Sequence, residues 1–454
     1  MSSSSPPSRP SDSLPGQLEA VNSNGGARSL SSLPPPTTFG QYKRNKEMNE
    51  KRFRLNPAGE SGRRGFHPWH FLRIVFRSAS RASTLCNILW PFVPAALAVR
   101  YTLEDRHILI FTLSYIAMVP CANLVGFAGQ ELARKLPHVI GVLTEITCGS
   151  VVEIVLFMLL LTKGDFEVIK AAILGSILAT MLLCLGMCFF VGGVHRVEQK
   201  FCRAISETGH GLLFTAGVVL AVPTVFGQGL TGYELSHEEL AYKTLNISRV
   251  ISVLLMISYA IFVFFQARTH HGIYTAIFEQ DEERDADRHG DLNKPKLTMT
   301  ESIISLIVAV ALVTLIAIIL VLQIHHVIEV SSVSDPFMGL ILVPLVEKFA
   351  EHLTAIDEAW DNQMNLALSH VLGATLQTAL FNAPLTVVVG WGLGKGMDLN
   401  FDMFNLVMLI LSILTVGRFL QDQKSNYLEG FLLVTLYIAI ALSAWHYPNP
   451  VSEH

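Results

Sequence analysis

Charge is what this sequence has least of. Only 15% of its 454 residues are charged and 51% are hydrophobic, where an ordinary soluble domain is about a quarter charged. The shortfall argues against a water-soluble domain and for a chain that faces lipid. The net charge of −4 is too small to draw it to nucleic acid, so no nucleic-acid partner is expected. Its six cysteines show neither CxxC nor CxxH spacing, which argues against a zinc site or a disulfide framework. There is no P-loop, no HExxH and no GxSxG in a suitable context, so an enzyme is not expected and no cofactor is implied. The polar start has no early apolar run. The expectation is therefore no secretory signal peptide, with insertion by an internal helix.

Read in order, residues 1–65 are rich in Ser, Pro, Gly and Asn and then in Lys and Arg. Such a stretch buries too little apolar surface to fold and reads as a disordered tail, basic towards its end. The basic run from Lys43 to Arg81 places it in the cytoplasm under the positive-inside rule. Residues 66–106 read as an interfacial basic segment, with Trp69, Phe71 and Phe76 among the basics, followed by an extra N-terminal helix. Apolar spans follow at 84–100, 108–128, 137–161, 167–193, 208–228, 247–267, 301–323, 336–360, 365–393, 402–420 and 427–446. Each has the length, about 20 residues, that crosses a bilayer as a helix. The reading is an all-α polytopic membrane protein of about eleven transmembrane helices. The first five-helix repeat covers 107–270, an acidic cytoplasmic loop 271–300, and the second repeat 301–448. In that loop Glu279, Asp281, Glu282 and Glu283 read as a solvated, regulatory linker, lacking the spaced ligands and glycine of an EF-hand.

One apolar span carries what the others lack. Pro344 to Ala355 holds Glu347, Lys348, Glu351 and His352. On a helix Glu347 and Glu351 stack, as do Lys348 and His352, so the four share one polar face. Ionisable groups at membrane depth are costly and face a bundle interior or a water-filled path. A plain structural pairing of Lys348 with Glu351 would also satisfy the spacing. A second copy of the pattern lies 198 residues upstream: Glu153 maps onto Glu351, Gly175 onto Gly373, Thr180 onto Thr378 and Gly192 onto Gly390. Five helices per copy force the second copy to be inverted across the membrane, the architecture of transporters with a midplane site. One glutamate from each copy can then meet its counterpart. Two facing carboxylates suit a hard cation such as Ca²⁺. They also repel each other's charge, so they can trade the cation for protons.

These residues resemble the calcium/cation antiporter superfamily, in particular the vacuolar calcium/proton exchangers of fungi and plants. The likeness runs from about residue 80 to 446. It includes Glu131-Leu132-Ala133, Gly149 to Glu153, Leu174 to Leu178, Ser248-Arg249, Glu351 to Ala355, Gln377, Pro384, Gly390-Trp391 and Lys424 to Gly430. It implies a cation/proton antiporter of a vacuolar or other endomembrane, exchanging Ca²⁺ for H⁺ by alternating access, with Glu153 and Glu351 as metal ligands. It carries Thr147, Ser150, Ser176, His352 and Gln377 into the site. It leaves assembly with a second copy or another chain open.

The sequence departs from the family's Gly-Asn-x-x-Glu pattern at the site itself. Ser150 stands for the first Asn, and Glu347-Lys348 stand for the second Gly-Asn. The family's Asn eight residues before Glu153 is Glu145 here. An amide offers a cation a neutral oxygen, whereas an ammonium has no lone pair to give. Lys348 therefore pairs away from the glutamates, stands in the cation's place, or loses its charge in a low-dielectric site and carries protons itself. The alternative reading is a transport-deficient regulatory relative, or an exchanger of another cation.

Overall fold

A computed structural model describes residues 61–447 apart from 79, 137, 231–235, 286–293 and 332. The expected N-terminal tail lies outside the described residues. Residues 55–454 cluster as one unit, and nearly all of what is described is helix.

The helices are α1 Pro68–Arg77, α2 Arg81–Cys86, α3 Phe92–Thr102, α4 His107–Ala133 and α5 His138–Lys163. Then come α6 Phe166–Val194, α7 Arg203–Gly229, α8 His237–Thr269, α9 His271–Arg284 and α10 Met299–Val330. The chain ends with α11 (335–360), α12 Met364–Gly392, α13 Met403–Leu420 and α14 Tyr427–Trp445. Eight of them are long and apolar enough to cross a membrane. The short α3 and the charge-bearing α5 and α11 are not among those eight. Both of the latter are acidic helices of the internal repeat.

The expected spans fall on these helices with two differences. The first expected span, 84–100, is broken into α2, a short turn and α3. Asn87 sits at the break and donates its amide to the carbonyls of Val75 and Phe76 at 3.1 and 2.8 Å. Pro91 then starts α3 afresh, since proline suits a helix start and not its interior. The second difference is the acidic connection, whose first half is the helix α9. Its Tyr274, Ile277 and Phe278 lie one turn apart and pack on the core.

Corresponding helices of the two repeats run in opposite directions. The most extensive helix contact joins α4 to α10. At one end the start of α4 meets the end of α10: the His107 ring stacks on His326 at 4.1 Å and hydrogen-bonds Gln323 at 2.8 Å. At the other end Glu131, near the close of α4, accepts from the backbone N–H of Leu297 at 3.0 Å. A capping box of Thr298 and Glu301 starts α10 just beyond.

Inside the bundle the helices are not uniform. Wider π turns occupy Ala179–Cys184 in α6 and Thr378–Asn382 in α12. These lie at matching places in the two repeats. A further π turn, Met338–Leu342, opens α11, and the Tyr115 hydroxyl donates to its Leu342 carbonyl at 2.8 Å. There α6 and α11 touch backbone to backbone. A Cβ on Gly175 would stand 2.1 Å from the Leu340 oxygen, and one on Gly339 would stand 2.8 Å from the Val168 oxygen. Neither glycine can be replaced without parting the helices. The six cysteines are buried.

A buried carboxylate pair joined by an ammonium

The centre of the site is built by α5, α11 and the π turn of α12. Glu153 on α5 is 1% exposed. Its carboxylate accepts from the Thr378 hydroxyl at 2.9 and 3.0 Å and from the Asn382 amide at 2.7 Å. It also meets the Lys348 ammonium at 2.8 Å. Each of these donors is charged or aimed at a charge, the strong class of hydrogen bond. Thr378 and Asn382 open and close the π turn and, four residues apart, share one helix face.

Lys348 lies between the two repeat glutamates. Its Nζ is 3.4 Å from Glu351 as well as 2.8 Å from Glu153. The pairing that would leave both glutamates free is thus not the one the structure adopts. Glu351 is 31% exposed by its side chain, and it faces Gly149 of α5, whose missing Cβ would stand 3.3 Å from its Oε1. Glu347 is buried, and neither of its oxygens has a hydrogen-bond partner among the described residues. The Ser176 hydroxyl is its polar neighbour without hydrogen-bond geometry and sits 3.5 Å from the Thr378 hydroxyl. His352 is buried, and its Nε2 is 3.3 Å from the Thr180 hydroxyl of the other π turn.

A cavity of about 440 Å³ reaches this group from one end of the bundle. Glu347, Glu351, His352, Thr180 and Gln377 line it, with Gln130, Phe278 and His370 farther along. Glu153 and Lys348 do not line it. A second cavity of about 280 Å³ at the opposite end is lined by Glu167, Lys170, Asp335 and Asp402 and also stops short of both.

Of the residues expected here, Glu153, Glu347, Lys348, Glu351, His352, Ser176 and Gln377 are brought together. Thr147 and Ser150 lie on α5 ahead of Glu153. Ser150 is buried, but its hydroxyl donates back to the Thr147 carbonyl at 3.3 Å. Thr147 lies six residues before Glu153, roughly 240° around the helix, and is exposed. Among the described residues no three His, Cys, Asp or Glu side chains converge as a metal nest. Thr378 and Asn382 were not expected as site residues. The available signal was a lone amide inside the apolar run Leu380-Phe381-Asn382-Ala383.

Of the acidic residues of 279–283, Glu279 is exposed as a solvated linker requires, but Asp281 is not. Asp281 is 1% exposed. Its carboxylate accepts from the backbone N–H groups of Asn365 and Leu366 at 2.7 and 3.1 Å and from the Asn365 amide at 2.8 Å. It thus caps the start of α12 from another helix. Burial pushes its carboxyl above the ordinary value, against the opposing pull of these bonds and of Arg284. Glu283 is exposed, and the Glu282 side chain lies outside the described residues.

Comparison with known proteins agrees with this architecture. The sodium/calcium exchanger protein family model matches residues 106–268 and 301–445, the two repeats. Vacuolar cation/proton exchanger 2 of Arabidopsis thaliana is 32% identical, over 80% of this chain and 81% of its own length. The vacuolar calcium ion transporter of Schizosaccharomyces pombe is 31% identical, over 81% of this chain and 86% of its own. Among solved structures, native YfkE, a Ca²⁺/H⁺ antiporter, superposes with a TM-score of 0.67 at 26% identity, covering 80% of this chain and 100% of its own.

Proposed function

This chain belongs to the sodium/calcium exchanger protein family, and from that premise we propose that it exchanges Ca²⁺ for protons across a vacuolar-type membrane by alternating access. The family and the multi-pass helical architecture support a membrane transporter. The observation that carries the rest is the meeting of Glu153 and Glu351. They come from inverted helices and flank one buried position, which in this structure holds positive charge.

Two carboxylates around one desolvated position cannot both stand bare. Either a cation or protons must balance them, so the two compete for one site. That competition is the exchange. Asn382 and Thr378 hold Glu153 in place, while Glu351 stands at the wall of the larger cavity. This arrangement supports a state open at the α9 end and closed at the other. The basic residues Arg134, Lys135 and Arg268 lie at the same end, which supports a cytoplasmic assignment for it and for the N-terminus. The exposed Trp69, Leu72 and Phe76 of α1 suit the membrane interface. The relatives compared above are exchangers and a transporter, which favours transport over a transport-deficient role.

The test is proton-gradient-driven ⁴⁵Ca²⁺ uptake into vesicles holding the purified chain. Uptake that Glu351→Gln abolishes supports the reading. Uptake that survives both Glu153→Gln and Glu351→Gln overturns its mechanism.

A further inference from the structure

The Lys348 ammonium stands where a cation bridging the two glutamates would stand. It is 2.8 Å from Glu153 and 3.4 Å from Glu351. The larger cavity touches Glu351 and Glu347 but neither Lys348 nor Glu153. A cargo cation entering from the α9 end therefore meets Glu351 and Glu347 before Glu153.

The residue before it is as unusual. Glu347 is 3% exposed, and both its oxygens lack a hydrogen-bond partner. A buried carboxylate without partners is costly to keep. The nearest ammonium along the chain is that of Lys348, the next residue. Three carboxylates and one ammonium leave a formal charge of −2, the same as two bare carboxylates and the complement of a divalent cation.

We propose that Lys348 is a tethered rival of the cargo and that Glu347 is its second seat. When a divalent cation loads between Glu153 and Glu351, the ammonium leaves them for Glu347. When the cation departs, the ammonium returns. The flexible four-carbon stem of lysine permits such a move between neighbouring carboxylates. The total charge of the site is unchanged by the move, so the electrostatics that suit a divalent cargo survive the presence of a fixed cation. The cost appears as weaker apparent affinity, because every loading event displaces a resident charge.

This inference rests on the calcium reading above and adds a competitor to it. The experiment measures KM and maximal rate for ⁴⁵Ca²⁺ uptake in vesicles for the natural chain, Lys348→Met, Glu347→Gln and the double variant, with a trapped pH dye to confirm the gradient. Removing the rival is expected to lower KM about tenfold or more with little change in maximal rate. Removing only the second seat is expected to raise KM by about tenfold, because Lys348 then stays on the two glutamates. The double variant is expected to return to the low KM of Lys348→Met. That rescue separates competition from a plain structural ion pair, for which the double variant is no better than the worse single one. Uptake by the natural chain with the same KM in Lys348→Met, or no rescue in the double variant, overturns the inference and leaves the calcium reading standing. Silence of all four proteins under an intact proton gradient overturns the calcium reading and this inference together.

Discussion

The two repeat glutamates occupy matching sequence positions and unlike surroundings. Glu153 is 1% exposed and is held by a hydroxyl, an amide and an ammonium. The Glu351 side chain is 31% exposed, faces a cavity and has the ammonium at 3.4 Å. An inverted repeat at the level of sequence thus gives an asymmetric site in one conformation. One carboxylate is sealed and the other is open to one end of the bundle. Alternating access asks for that asymmetry, with the roles reversing in the opposite state.

The comparison breaks most severely by neutralising each glutamate in turn. Glu153→Gln and Glu351→Gln should both abolish exchange, but only Glu153→Gln should cost much stability. It strips a fully buried lysine of its nearer partner, a loss of about 3–5 kcal/mol, whereas Glu351 is partly solvated already. Thermal unfolding in detergent measures the difference, and equal losses would remove the claim that the two are held differently.

Next come the donors on the π turn. Thr378→Val and Asn382→Ala each remove a hydrogen bond to a charge, worth about 1.5–3 kcal/mol, so each should raise the KM for Ca²⁺ by roughly tenfold or more. The matching position in the first repeat should behave otherwise. Thr180→Val removes only a 3.3 Å contact to the His352 ring and should cost about 1 kcal/mol or less. Uptake kinetics of the three variants test this ordering.

Smaller effects belong to α9. Asp281→Ala should cost about 1–2 kcal/mol, the usual value of a helix N-cap, read as faster amide exchange at the start of α12. The native carboxyl is pushed above its ordinary value by burial. A raised carboxyl binds its proton more tightly docked than undocked, so docking gains from protonation and loses that gain as pH rises through the shifted value. Amide protection of α9, corrected for intrinsic rates, should therefore fall modestly as pH rises above the ordinary carboxylate range. No such pH dependence is expected of Asp281→Ala.

Much of this was legible in the chain. Long apolar runs fix where helices can cross a membrane, and the offset of 198 residues ties Glu153 to Glu351 before any coordinates. Lys348 was visible as an ammonium on the glutamate face, though spacing alone offers it only Glu351 as a partner on its own helix; Glu153 comes from another. Asn382 and Thr378 escaped because the carboxylate they serve, Glu153, comes from another helix, which periodicity along their own helix does not reveal. Asp281 escaped for a different reason. Its acidic neighbours look solvated, and only Tyr274 and Ile277 reveal that their helix has an apolar face. Family motifs also turned out to serve packing as well as the site: the Arg249 guanidinium lies 5.4 Å from the Trp391 ring, and Asn426 caps α14.

The glycine contact between α6 and the opening of α11 has a mechanical side. Gly175 and Gly339 work like the ground faces of a gauge: they set how near one repeat stands to the other with no side chain in between. Every carboxylate-to-ammonium distance at the centre is referred to that spacing, because Glu347, Lys348 and Glu351 follow within a few turns of Gly339 on the same helix. A single methyl group inserted there would act as a shim. It would leave every charge in the site intact and still throw the whole assembly out of alignment.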